Sequence, residues 1–333
     1  MPFQLNPSKV PIWKNETDLK LGLQEHSQIL DDVSHGQERL INLLFQGIPE
    51  DQLKHVGQSV GLTEIETSDL VDKLRPSLLN QSPRDSSGTA LDVRFAEIIR
   101  IGFDTNDTPE SILTKRANAI VEVQQLNRTG LLLLKALCEA GFRKFETLDY
   151  EVVRRVDIGE LSFTPSQLGI SRLAAARTIL SAHAGNLEIK HPTKRSRRDV
   201  RISVLSAMHQ LNPSAYRNLP DPHLVVEYGI EELRISPVIT PTKKPCLACR
   251  DLWEAENDSQ WAATAIQLTA RNDQLDDGSG LLLAAAISAK SICEFVDSSG
   301  QKLTDGYLVT LKTRALKTFN WQFHPACQCR TMR

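Results

Sequence analysis

Apolar and polar positions follow three different rhythms along this chain. Up to about residue 80, "DLKLGLQ" and "HSQILDD" read as short strands, and three helical patterns follow: "SHGQERLINLLFQ", "PEDQLKHVGQSVG" and "TEIETSDLVDKLRPSLL". Ser34 is placed to cap the first helix and Gly47 to stop it, while Pro49 suits the start of the second and Gly61 its end. In the third, Ile65, Leu70, Leu74 and Leu78 are expected to share one face. Short strands with three short helices predict a small α+β domain of winged helix-turn-helix type over residues 1–80. Residues 80–90, "NQSPRDSSGTA", have no apolar period and read as a linker; with the helix "LDVRFAEIIRIG" they make a connecting segment, 81–114.

From residue 117 the rhythm becomes an alternation of strands and helices. "ANAIVEVQ", "KFETLDYEVV", "RISVLS" and "HLVVEYG" are strand-like; "TGLLLLKALCEAG" and "SRLAAARTILSAH" are helical. This alternation predicts a parallel, doubly wound α/β domain over 115–333. A long helical stretch is expected from about 257 to 297, and "YLVTLKTRALKTFNWQFHP" reads as a hairpin. No internal repeat is found.

Composition narrows the function classes. With 333 residues, 41% hydrophobic and 24% charged, the chain has the make-up of an ordinary globular protein of two domains, or of one large domain with a small one attached. A net charge of −2 gives no field that steers it to nucleic acid or an anionic membrane, and 5% aromatics argue against a base-stacking surface. The third helix sets Glu64, Glu66, Asp69 and Asp72 against Lys73 and Arg75, so it would repel a phosphate backbone. A peptide-binding winged helix is favoured over a DNA-binding one. The basic run "KRSRRDVR" reads as a solvated loop before a strand. The start "MPFQLNPSKVPIW" has no apolar core behind basic residues, so no secretory signal is expected. The greasiest runs are broken by Lys or Glu well short of the ~18 apolar residues of a membrane span. A cytoplasmic protein is expected, with no nucleic-acid or membrane partner.

In a reducing compartment, cysteines are metal ligands, core residues or catalysts before they are disulfides. Four of the six fall in two close pairs, Cys246 with Cys249 in "KPCLACRDLW" and Cys327 with Cys329 in "FHPACQCR". Each pair sets two thiolates on one tight turn, and together they complete a closed tetrahedral shell for a structural zinc. That site would staple segments separated by the 77 residues between Cys249 and Cys327. His324 is the alternative fourth ligand. A redox CxxC is disfavoured because Cys246 is not expected to open a thioredoxin-like helix after a first strand. Cys138 and Cys293 lie in apolar helical patterns and read as core.

The first strand–loop–helix unit is where a nucleotide would sit. A glycine-rich loop lets backbone N–H groups approach phosphates. Here the loop is "QLNRTG": Gly130 remains, but Gln125 and Asn127 occupy the first two glycine positions and would crowd a triphosphate. Asp149 ends the second strand, where an acid commonly binds a ribose hydroxyl.

The frame "AIVEVQQLNRTGLLLLKALCEAGFRKFETLDYEVV…LGISRLAAARTIL" resembles the ThiF/MoeB superfamily, the ubiquitin-activating type of adenylating enzyme, with Gly130, Gly141, Asp149, Gly169 and the cysteine pairs in family order. "PHLVVEYG…SPVITPTKKPCLACRDLW", Trp261 and "WQFHPACQC" are similar to a branch found in thiazole/oxazole-modified (TOMM, RiPP) peptide biosynthesis, described as cyclodehydratase or leader-peptide-binding components. The resemblance covers nearly the whole chain, least over 81–114. It implies a Rossmann-like domain with a zinc staple, an N-terminal peptide clamp, and a homodimer. The clamp is expected between "LKLGL" and the helix from Glu64 to Leu74.

Departures from the family pattern bear on activity. Where active members carry an asparagine and an arginine for the triphosphate, this chain has "GELSFT", with Glu160 and Phe163 in those places. The family lysine is matched by Arg172, a partial retention. The Mg²⁺-binding aspartate has no counterpart, since no Asp lies between Asp199 and Asp221. Stabilising a transferring adenylyl group needs cationic side chains and metal together. The expectation is a pseudo-enzyme with no catalytic residues, no ATP use, and Gly130, Asp149 and Arg172 as a vestigial nucleotide site. It would bind a precursor peptide and present it to a YcaO-type cyclodehydratase. The alternatives are a working adenylyltransferase that activates a carboxylate, and a structural or regulatory protein that keeps only the fold.

Overall fold

A computed structural model of the chain describes residues 2–23, 25, 27–79, 95–182, 186–192, 200–216, 219–271, 273–300, 304–313 and 315–330. The linker 80–90 and all but the last two residues of "KRSRRDVR" lie outside them. The chain divides into two compact units, Met1–Thr114 and Lys115–Arg333.

The first unit holds β1 (Pro2–Phe3), β2 (Pro11–Trp13), β3 (Leu19–Leu21), β4 (Gln28–Leu30), α1 (His35–Leu44), β5 (Ile48–Pro49), α2 (Leu53–Ser59), α3 (Glu64–Leu74) and α4 (Phe95–Asp104). Ser34 and Thr63 cap α1 and α3 with full capping boxes, using Gln37 and Glu66. Gly47 and Gly61 hold positive φ after α1 and α2, where a side chain would be strained. Leu19, Leu21, Leu30, Leu40, Ile41, Leu44, Leu70 and Leu74 form the core; each fully buried side chain of this kind contributes ~1.5–3 kcal/mol. The buried face of α3 is Thr67, Leu70, Val71 and Leu74. Ile65, expected on that face, is 73% exposed, because five residues of helix turn it well away from Leu70.

Between "LKLGL" and α3 lies β4. The sheet order is β2-β3-β4, so Leu19–Leu21 is the central strand and both of its edges are paired. Among the described residues β4 pairs with β3 alone, and it lies beside the end of α3: Gln28 Nε2 donates to Lys73 O at 2.5 Å and Ser77 Oγ to Gln28 Oε1 at 2.8 Å. α4 is tied to the N-terminal segment by Asn6, whose Nδ2 donates to Gly102 O at 2.6 Å.

α5 (Pro109–Asn118) precedes the large sheet. The second unit continues with β6 (Ile120–Val123), α6 (Arg128–Glu139), β7 (Lys144–Thr147), α7 (Arg172–Ser181), β8 (Glu188–Lys190), β9 (Arg201–Met208), α8 (Pro213–Tyr216), β10 (His223–Tyr228), β11 (Glu232–Ile235), α9 (Leu247–Asn257), α10 (Trp261–Ala270), α11 (Gly278–Asp297), β12 (Gly306–Thr310) and β13 (Ala315–Phe319). The sheet order is β13-β12-β11-β10-β9-β6-β7-β8. β8, β7, β6, β9 and β10 are parallel, and β11, β12 and β13 extend the sheet antiparallel. The strand order reverses between β6 and β9, which places a crevice at their carboxyl ends.

One sheet face is apolar. Val121, Val123, Phe145, Ile202, Val204, Leu224 and Val226 pack with Leu131, Leu134 and Leu137 of α6 and Ala284 and Ile292 of α11. Cys138 and Cys293 are buried in this core. α11 runs 20 residues without a break and is long and apolar enough, by length and composition, to cross a membrane; 61% of its apolar window is buried in the chain's own interior. Lys290 and Glu294, which were expected to interrupt it, pair at 3.5 Å one helical turn apart. The other sheet face carries a polar row in register, Lys190–Glu146–Glu122–Ser203–His223, from β8 to β10, buried from Glu146 to His223 and half-exposed at Lys190. Arg201 answers its acids, pairing with Glu146 and standing 3.8 Å from Glu122.

Candidate functional site

Two sites emerge in the second unit. At the first, Cys246, Cys249, Cys327 and Cys329 come together, their sulfur atoms all within 4.8 Å of one another. Cys246 and Cys327 are 3.6 Å apart, Cys249 and Cys329 3.5 Å, and Cys246 and Cys249 4.0 Å. A tetrahedron with ~2.3 Å metal–sulfur bonds has edges of about 3.8 Å, so the four thiols fit one metal ion. Burial and the neighbouring thiols push Cys246 up, and push Cys249 to about 11; a cation would reverse both by favouring the thiolates.

Cys246 is the N-cap of α9. The CxxC opens a helix, but one that follows β11 rather than a first strand and faces two further thiols. Both cysteine segments are fastened. Trp321 Nε1 donates to Cys246 O at 2.9 Å, and Trp253 Nε1 to Gln322 O at 3.0 Å. His324 is not in the thiol cluster: its Nε2 donates to Glu256 at 2.9 Å and its Nδ1 accepts from Ala326 N at 3.1 Å. Both ring nitrogens are used in holding the turn that presents Cys327.

The second site is the crevice between β6 and β9. Gly130 lies in the first turn of α6, where an added Cβ would stand 2.2 Å from Gln125 O. That close approach explains why this one glycine remains in "QLNRTG". Asn127 Oδ1 accepts from Gly130 N at 3.0 Å and its Nδ2 donates to Ser206 Oγ at 3.0 Å. A backbone N–H of the kind a phosphate would use is thus taken by the loop itself.

The structure brings Asp149 and Arg172 into contact. Asp149 Oδ2 accepts from Leu126 N at 2.8 Å and from Arg172 Nη1 at 3.1 Å, while Oδ1 accepts from Glu151 N at 2.8 Å. Arg172 also donates to Asp157, from Nε at 3.0 Å and Nη2 at 2.8 Å. Burial disfavours the guanidinium charge, but Asp157 and Asp149 outweigh it and hold Arg172 above its usual range. Phe163 is fully buried in the core, whereas Glu160 is exposed. At the ends of β7 and β8, Tyr150 stacks on His191 with centroids 4.1 Å apart.

Sequence reasoning missed three further pairings. Asp157, in a 3-10 turn, is the main partner of Arg172. Arg128 stands 3.6 Å from Asp276, and His209 Nε2 lies 2.6 Å from Asp273. The segment leading into α11 is therefore pinned to the start of α6 and to the end of β9. The run "NDQLDDGSG" was the available signal, three acids before a capped helix start; its partners are remote in sequence and could not be read from it.

No family model matches the chain, and no curated protein matches it in sequence. Solved structures share its fold. E. coli MccB with ATP aligns over 99% of this chain and 100% of that one, at TM-score 0.69 and 13% identity. The microcin C7 biosynthetic enzyme MccB in complex with N-formylated MccA aligns over 99% and 100%, at TM-score 0.69 and 14% identity. PaaA aligns over 94% and 98%, at TM-score 0.66 and 12% identity. At these identities the likeness is one of fold.

Proposed function

We propose that this chain is a non-catalytic scaffold of ThiF/MoeB type that binds a precursor peptide and presents it to a partner enzyme, with a structural zinc held by Cys246, Cys249, Cys327 and Cys329. The observation that carries the non-catalytic half is the mutual engagement of Asp149 and Arg172. The groups left in the position of a nucleotide site already satisfy one another and the loop beside them. A nucleotide would have to break those bonds without the triphosphate-binding cations or metal acid to repay the loss.

MccB has been solved with MccA and with ATP. We carry over the first capacity, as the binding of a precursor peptide, and not the second. The open edge of β4 beside α3 suits an added peptide strand, since main-chain hydrogen bonds there need no particular sequence. On the sequence resemblance, the partner is a YcaO-type cyclodehydratase acting on Cys, Ser or Thr of the peptide. The rival reading, an ATP-dependent adenylyltransferase, is favoured by the full-length fold shared with ATP-bound MccB. ATP–pyrophosphate exchange by the zinc-loaded protein separates the two. No exchange is expected; exchange above that of a heat-killed control would establish the rival.

A further inference from the structure

On the sheet face away from α6 and α11, a cavity of about 420 Å³ lies beside the thiol cluster. Its size is that of a small-molecule site. The walls are mainly apolar, with Tyr216, Leu219, Ile239 and Leu252 among them. Lys244 also lines it, but its Nζ already donates to Thr304 O at 2.7 Å.

His223 is different. It is 3% exposed and lines the cavity. Its Nδ1 lies 3.1 Å from Asp221 O, which can only accept, so Nδ1 carries the proton and Nε2 presents a lone pair. Nε2 is buried and has no hydrogen-bond partner among the described residues. Burial pushes the imidazole below its usual range, and the backbone bond and charge of Asp221 oppose this less strongly, so the ring stays neutral. A buried acceptor left unmade is costly, and native proteins rarely tolerate one without reason. A second irregularity lies in the same wall: Thr242 holds φ +64°, a left-handed backbone that β-branched residues avoid. Strain of this kind concentrates at binding sites.

We propose that this cavity binds a compact, largely apolar ligand carrying one O–H or N–H donor, which the unpartnered Nε2 of His223 accepts. The apolar walls supply the binding drive and the single acceptor sets orientation. The site is separate from the crevice between β6 and β9 and stands whether or not the chain uses ATP.

The test is calorimetric titration of the zinc-loaded full chain with indole and with N-methylindole, which differ at the donor. Indole should bind saturably, and N-methylindole about tenfold more weakly for want of the hydrogen bond. The imidazole nitrogen resonance of His223 should move with indole alone. Leu252→Trp, which fills the cavity, should abolish binding of both; His223→Leu should make the two probes equal. Should His223→Leu not fold, the wild-type resonance and Leu252→Trp still decide. No saturable binding, equal affinity of the two probes for wild type, or undiminished binding by Leu252→Trp would overturn the assignment and leave water as the only occupant.

Discussion

Asp149 Oδ2 accepts a hydrogen bond from Arg172 Nη1 at 3.1 Å while it holds the backbone of Leu126 at 2.8 Å, so one buried carboxylate joins β7, α7 and the loop that opens α6. The strand-end acid and the cation of the crevice serve the fold. Removing the cation leaves Asp149 and Asp157 buried without their partner. Arg172→Ala should therefore cost ~3–5 kcal/mol, as loss of one partner of a buried ion pair does. Urea denaturation measures it, and a loss below ~1 kcal/mol would mean the bonds are ornamental.

The thiol cluster makes a stoichiometric prediction. The purified chain should carry one zinc, and Cys249→Ser, at the most buried of the four positions, should lose it. Burial holds the Cys249 thiol up near 11 without a cation, so it is protonated at neutral pH. Adding zinc to metal-free protein should then release protons, visible with an indicator dye, and raise the melting temperature. Binding without proton release would mean the thiols are not the ligands.

If a peptide adds to the first unit as a strand, the amides of Gln28–Leu30 should exchange more slowly with bound peptide, and those of Ile12 and Trp13 should not change. β4 lies beside α3 and among the described residues pairs with β3 alone, whereas β2 lies across the sheet from it. Hydrogen–deuterium exchange resolves the two strands. Protection confined to β2 would move the clamp to the opposite edge.

The segment pinned before α11 carries a pH signature. Hydrogen bonds from Arg271 and His209 hold Asp273 down at about 2, against an ordinary value of 3.8. A carboxylate lowered on folding stabilises above its unfolded value and loses that contribution as pH falls through its folded one. The difference in melting temperature between wild type and Asp273→Asn should be full above pH 3.8 and should shrink toward pH 2. A difference that does not change across this window would show that the charge of Asp273, paired with Arg271 and His209, does not hold the segment.

What was legible in the sequence is what depends on local spacing. The cysteine pairs, the Ser34 cap and the glycine stops of α1 and α2 are of this kind, as are β6, β9 and β10 with their β-branched residues and β7 beside them. What was hidden depends on partners far along the chain. Glu122 and Glu146 sit mid-strand and are buried only because Arg201 answers them from β9. β11 is four residues long and gains its place by pairing antiparallel with β10 and β12. The expected helix from 257 to 297 breaks into α10 and α11 because Asp277 caps a new start on Gly280 N. In the crevice the missing glycines were readable, but the closing of Asp149 on Arg172 and of Arg172 on Asp157 was not.

The most direct test is calorimetric titration of the zinc-loaded protein with Mg-ATP. The engaged state of Asp149, Asn127 and Arg172 predicts no saturable heat up to millimolar nucleotide. Saturable binding would contradict it: the crevice would then open to nucleotide, and the adenylating reading would replace the scaffold.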